Sequence, residues 1–173
     1  MKLQGKRVGV LVEEGFEDLE FWVPVMRLRE EGAEVIIIGT GRQDVFHGKH
    51  CLEARPDVAA AEVDANTLDG LVVPGGWGPD KLRRFDAVLD LVRALEAQGK
   101  IIASICHGGW VLASAGVLKG RKATGSRGIR DDMVNAGAEW IDAPAFRDGN
   151  HVWGRVVADI PAFCRELIAA LAE

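Results

Sequence analysis

Short β-branched runs, each closed by a breaker and followed by a helical period, recur along this chain, and that alternation limits it to one fold class. Residues 7–12 (RVGVLV) read as a central parallel strand, residues 13–18 as its exit turn, and an amphipathic helix runs from Leu19 toward Glu31 and Gly32. Pro24 falls inside that helix and is expected to kink it or to mark a later start. Residues 34–39 form a second strand, residues 70–76 a third that ends in Pro74-Gly75-Gly76, and residues 101–105 a fourth. Between the third and fourth, Val88, Leu91, Val92 and Leu95 recur at helical spacing up to Gln98-Gly99.

The later chain continues the pattern. Residues 118–124 are expected to lead back toward the sheet, and residues 129–136 to form a short helix with Asp131 and Asp132 near its positive end. Strand-like pieces follow over 139–157, separated by a hairpin-type turn at Asp148-Gly149-Asn150. In the last helix Ile160, Phe163, Cys164, Leu167, Ile168 and Leu171 share one face, with Asp159 as N-cap and Pro161 in the first turn. From 41 to 64 the pattern is weak, and only a hairpin arm over 45–50 is read there. With no linker or repeat, residues 1–173 are expected to make a single α/β domain, its mostly parallel sheet covered by helices on both faces.

The fourth strand ends in Cys106-His107-Gly108-Gly109-Trp110, followed by apolar residues suited to a helix start. A cysteine on such a strand-to-helix turn occupies a sharp nucleophile elbow at the carboxyl edge of the sheet, where ligands of open parallel sheets bind. A helix N-terminus favours thiolate over thiol, so the expectation is a lowered pKa for Cys106. The Gly108 and Gly109 N–H groups are candidate oxyanion donors, as are the backbone groups of Gly75 and Gly76 across the crevice. The competing reading of Cys106 is a small buried apolar residue. Glu17, Asp18 and Glu20 follow the first strand on the same edge, and a carboxyl near the thiol would hydrogen-bond it or shuttle a proton. Their ordinary role would be to complement the helix dipole. His107 directly follows the cysteine, and the spacing alone does not bring its ring to the sulfur.

Other chemistries fit less well. Charges are interspersed and sum to −5, with no basic block, which argues against nucleic acid as a partner. No signal-peptide-like or membrane-length apolar run occurs, so the expected location is the cytoplasm. Three widely spaced cysteines do not make a disulfide framework. His47, His50 and Cys51 lack the spacing of a zinc site, and Gly39-Thr40-Gly41 is too short for a dinucleotide fingerprint, so neither metal nor cofactor is expected. Trp77, Trp110 and Trp153 are candidate pocket walls whose default fate is packing, and Cys164 belongs to the core.

The chain resembles the ThiJ/PfpI superfamily, specifically its PfpI-type branch of cysteine peptidase/amidase-like proteins. The resemblance rests on Gly15-Phe16-Glu17-Asp18-Leu19-Glu20, Val73-Pro74-Gly75-Gly76, Ala103-Ser104-Ile105-Cys106-His107-Gly108, Ile129-Arg130-Asp131-Asp132 and Asp159-Ile160-Pro161-Ala162-Phe163, with further matches between them. It implies a flavodoxin-like sandwich of the class I glutamine amidotransferase-like type, Cys106 as nucleophile, and Glu20, with Glu17 second, as the carboxyl that meets it. It also implies that His107 is completed by Asp80 of a neighbouring subunit, in a homo-oligomer such as a dimer or hexamer. The implied activity is attack by Cys106 on a carbonyl of a small dicarbonyl, a glycated amine or a peptide, in stress defence. The alternative is a redox-sensing stress protein or holdase in which Cys106 is oxidised. Two positions depart from the pattern: Gly109, where proline is usual, and Gly154-Arg155-Val156-Val157, where Ser-Arg-x-Pro is more common.

Overall fold

A computed structural model describes residues 1–173. In chain order the elements are β1 (Arg7–Leu11), α1 (Asp18–Glu30), β2 (Glu34–Gly39), β3 (Phe46–His47), β4 (Glu53–Ala54), β5 (Val58–Ala59) and β6 (Gly70–Val73). They continue as α2 (Gly78–Leu82), α3 (Asp86–Ala97), β7 (Ile101–Ile105), α4 (Gly109–Ala115), β8 (Lys122–Ala123), α5 (Arg130–Asn135), β9 (Glu139–Trp140), β10 (Ala145–Asp148), β11 (His151–Gly154) and α6 (Ile160–Leu171). Seven strands form the main sheet in the order β10-β11-β7-β6-β1-β2-β5. All neighbours pair parallel except the edge hairpin of β10 and β11.

Strand residues alternate between two buried layers, as the two-residue period of an extended chain requires. Val8, Val10, Val72, Ala103 and Ile105 pack under α1 and α6, against Phe21, Val25, Phe163 and Leu167. Leu11, Leu71, Val73 and Ile102 face α3, α4 and α5, meeting Val88, Leu91, Val111, Leu112 and Met133. Helices therefore cover both faces, giving the flavodoxin-like α/β sandwich. None of them is long and apolar enough to cross a membrane.

Several local expectations change once the chain is packed. Helix α1 is continuous across Pro24, which simply leaves the Glu20 carbonyl without its N–H partner. Residues 118–124 do not rejoin the sheet. Their strand β8 pairs with β9 in a separate two-stranded ribbon, held where Ile141 donates to the Ala123 carbonyl at 2.9 Å. Asp159 stands at the N-cap of α6, but its carboxylate accepts from Arg155 Nε at 2.9 Å and makes no capping bond. The hairpin arm is real, as β3 against β4; the edge strand β5 and helix α2 had no signal in the residue pattern.

Because β2 and β6 lie on opposite sides of β1, the chain reverses its direction of travel across the sheet there. That reversal opens a crevice beyond the carboxyl ends of β1, β6 and β7.

Candidate active site

Three loops meet in that crevice and are tied by backbone bonds. Glu17 N–H donates to the Gly75 carbonyl at 3.1 Å and Trp77 N–H to the Gly15 carbonyl at 2.7 Å, so the exits of β1 and β6 move as one unit. Gly76 holds a φ of 79°, and a Cβ on it would lie 2.6 Å from the Gly15 carbonyl oxygen and nearer still to the Glu17 nitrogen. Glycine is the residue that fits this position.

The β7 exit supplies the thiol. Cys106 has φ 59°, a left-handed conformation that non-glycine residues seldom adopt and that bends the chain sharply into the short helical turn of residues 106–108. The elbow expected from the residue pattern is therefore present. Cys106 Sγ lies 3.2 Å from His107 Nδ1, so the adjacent imidazole does turn back onto the sulfur. The backbone N–H groups of His107 and Gly76 also point at the sulfur.

Helix α1 brings the carboxyls. Glu17 caps it by accepting from the Glu20 N–H at 2.9 Å, and its other oxygen stands 3.8 Å from His50 Nε2. Glu20 occupies the position from which a glutamate ordinarily reaches back to close a capping box. Here its carboxyl turns inward: Oε2 accepts from the Gly75 N–H at 2.9 Å, and the group hydrogen-bonds the Cys106 thiol. The residue is fully buried, and no protein N–H or O–H reaches Oε1.

This burial sets the electrostatics. Desolvation first, and then the neighbouring Glu17 charge, push Glu20 up from 4.5 to about 7. Desolvation, then the Glu20 charge and the hydrogen bond to it, push the Cys106 thiol up to about 12. The helix-dipole expectation of a lowered thiol pKa is thus overturned: desolvation, reinforced by the buried Glu20 carboxyl, outweighs partial charges at a short helix end. The two groups titrate as a pair that carries one shared proton over the neutral and mildly alkaline range. Burial, and secondarily Lys49, lower the pKa of His107, which keeps its imidazole neutral near pH 7.

The pair opens into a cavity of about 830 Å³. Glu17, Glu20, Gly76, Asp80, Cys106 and His107 all line it. Trp77, 63% exposed, and half-buried Trp110 form its walls, whereas Trp153 is a core residue. Trp110 packs edge-on to His107 at 5.1 Å and is anchored by its Nε1–H to Asp132 at 2.7 Å. Lys49 sits over the Trp77 ring. Asp80 is paired with Arg84, and no carboxylate of the same chain comes within ion-pairing distance of His107.

Two glycines act differently from the expectation. The Gly75 N–H is committed to Glu20 and is not free for an oxyanion. Gly108 packs against the Val73 carbonyl and the Ser104 side chain behind the elbow, outside the cavity lining. The N–H groups that point at the sulfur are instead those of Gly76 and His107. Asp18, read with Glu17 and Glu20 as a carboxyl on the crevice edge, turns away from the thiol and proves structural. Its buried carboxylate accepts from His50 N–H at 2.8 Å and Leu52 N–H at 2.9 Å, fixing the turn between β3 and β4 that carries Lys49 and His50 to the cavity. The groups able to share a metal ion are Glu17, Asp18 and His50, within 4.8 Å of one another, not His47 or Cys51.

The DJ-1/PfpI family model matches residues 6–170. The chain is 45% identical to deglycase PfpI of Pyrococcus furiosus over 90% of its own length and 93% of that protein. It is 39% identical to the putative cysteine protease YraA of Bacillus subtilis, over 96% of this chain and 98% of the other. Among solved structures, it superposes with a TM-score of 0.94 and 36% identity on an Anabaena variabilis protein that combines a DJ-1/ThiJ/PfpI-like with a ferritin-like domain. The match covers 96% of this chain and 48% of that longer one. Fold, elbow and matched length agree, and the chain belongs to the DJ-1/PfpI family.

Proposed function

We propose that the protein is a cysteine-dependent enzyme that attacks the carbonyl of a small substrate, as a deglycase or glyoxalase on methylglyoxal-type groups. The observation that carries this reading is the buried Glu20 carboxyl in hydrogen-bonding contact with the Cys106 thiol, with a pKa raised to about 7. A carboxyl poised there both accepts and returns a proton at neutral pH. The names of relatives, deglycase in Pyrococcus furiosus and putative cysteine protease in Bacillus subtilis, support a thiol enzyme of this kind.

The scheme balances without a redox partner. Sulfur adds to the aldehyde carbon while the thiol proton passes through Glu20 to the new hydroxyl; with an amine adduct it passes to the expelled amine, as the C–N bond breaks and the C–S bond forms. Glu20 then takes the proton from that carbon and returns it at the neighbouring carbonyl carbon, while the hydroxyl proton passes to the neighbouring oxygen, which leaves a thioester of lactate. Water hydrolyses the thioester and frees the thiol. The N–H groups of Gly76 and His107, already aimed at the sulfur, hold the developing oxyanion.

The working unit in this proposal is a homo-oligomer, a dimer or hexamer in the cytoplasm, in which Asp80 of the partner subunit reaches His107. Trp77, Leu19 and Val157, exposed by 63%, 48% and 37%, rim the cavity with apolar surface suited to such a contact. Asp80→Asn is then expected to lower kcat about a hundredfold without changing the mass in solution. Size-exclusion chromatography with light scattering checks this beside the rate.

Methylglyoxal consumption and release of free amine from a methylglyoxal-treated peptide, measured for wild type and Cys106→Ala, test the function itself. Both activities should vanish in the variant with its melting profile intact. Turnover that survives Cys106→Ala, or none in the wild type, overturns the reading.

A further inference from the structure

Beside the thiol cavity lies a second hollow of about 470 Å³ that the reaction above does not use. It is lined by Arg127, Arg130 and Arg155, with Trp140 as its aromatic wall, in a chain whose net charge is −5. Arg155 is not free: it donates to Asp142 at 2.8 Å and Asp159 at 2.9 Å, so both the guanidinium and the one carboxylate in the hollow are already satisfied. Arg127 and Arg130 have no carboxylate partner and no side-chain hydrogen bond within the chain. They flank the start of α5 three residues apart, a spacing that keeps them on one side of the turn.

The hollow adjoins the site. Val156 lines both cavities. Gly125, also in its lining, packs directly against the Cys106 carbonyl, and the Ser126 N–H donates to that carbonyl at 3.1 Å. The Cβ position of Gly128 is 3.9 Å from His107 Nε2. The loop that carries Arg127 is therefore built on the backbone of the elbow, and Val156 stands between the thiol cavity and the arginines.

We infer that Arg127 and Arg130 form an anion subsite, which selects substrates bearing a carboxylate or phosphate beyond the carbonyl attacked by Cys106. Two unpaired guanidiniums supply the fork geometry that planar or tetrahedral oxyanions accept, and Trp140 offers a face to the linking portion. The inference rests on the carbonyl-attack reading and specifies its substrate class.

The test compares methylglyoxal adducts of three peptides: acetyl-Lys-Gly as the free acid, acetyl-Lys-Gly amide, and acetyl-Lys-phosphoserine amide. Wild type is expected to favour one or both anionic adducts over the neutral amide in kcat/KM by about tenfold or more. Which of the two it favours separates carboxylate from phosphate. The Arg127→Ala/Arg130→Ala double variant should lose that preference while consuming free methylglyoxal within about twofold of wild type. Equal rates on all three adducts by an active wild type overturn the subsite and leave the carbonyl reading standing. A change of oligomeric mass in the double variant also overturns it, because the arginines then belong to a subunit contact. If wild type consumes neither methylglyoxal nor any adduct, the carbonyl reading falls. Calorimetric titration with inorganic phosphate then decides the subsite: binding lost in the double variant upholds it, and no binding overturns it.

Discussion

Glu20→Gln is expected to leave the protein more stable at pH 8 than wild type and to remove nearly all of its turnover. The folded carboxyl has its pKa raised to about 7 from an ordinary 4.5, so folding favours the protonated form. Stability from this group is fully present below the unfolded pKa and is lost as pH rises through the folded one. Above pH 7 the buried charge costs about 3 kcal/mol at most, which a neutral isostere does not incur. Glutamine also keeps an oxygen to accept the Gly75 N–H. In urea unfolding the gain should therefore be clear at pH 8 and shrink toward pH 5.

The same change removes the proton acceptor beside the thiol, and kcat should fall by about 10²–10⁴. Cys106 loses the neighbouring charge and hydrogen bond that raise its pKa, although desolvation, the largest cause, remains. Its pKa moves down, so alkylation by iodoacetamide at pH 8 should quicken in the variant that turns over least. A merely structural glutamate would give the opposite stability result. A Gln variant that is less stable at pH 8, or as active as wild type, defeats the role given to Glu20. Stability sacrificed at a reacting group is a common mark of a working site.

How far the residue pattern reaches is clear from individual elements. Strands β1, β2, β6 and β7 were legible because burial on both faces makes them continuous apolar runs, and helices α3 and α6 because burial of one face imposes a period of 3.6. The elbow was legible because an apolar run, a cysteine and paired glycines sit together in sequence. Strand β5 is two residues long and exists through its pairing with Ile38 and Gly39, and α2 has five residues, too few for a period. Strand β8 finds its partner in β9, a choice made by the packing of α5 between them. Asp18 meets His50 and Leu52 across more than thirty residues. The thiol pKa was misread for the same reason: helix position is local, but desolvation is produced by the whole assembled layer.

Two adjacent glycines in the elbow should respond in opposite ways to alanine, and the contrast tests how rigidly the thiol is held. A Cβ on Gly108 would press into the Val73 carbonyl oxygen and lie 2.7 Å from Ser104 Oγ. The Ser104 hydroxyl can rotate aside, but Val73 pairs with Ser104 in the centre of the sheet, so its carbonyl cannot retreat without disturbing the β6–β7 ladder. Gly108→Ala must therefore lift the elbow off the sheet, at a cost of about 3 kcal/mol, the upper end for overpacking. A Cβ on Gly109 meets the tips of Met133 at 2.8 Å, Ile129 at 3.1 Å and Trp153 at 3.3 Å, and the first two side chains can turn aside. Gly109 is also the first residue of α4, where alanine is the better helix former by about 1 kcal/mol. Gly109→Ala should stay within about 1 kcal/mol of wild type and keep its activity. Gly108→Ala should melt about 10 °C lower and lose turnover even where still folded, because the thiol no longer meets Glu20. Equal melting temperatures for the two variants would mean that the elbow yields freely, and that Cys106 is not held against Glu20 by the sheet behind it.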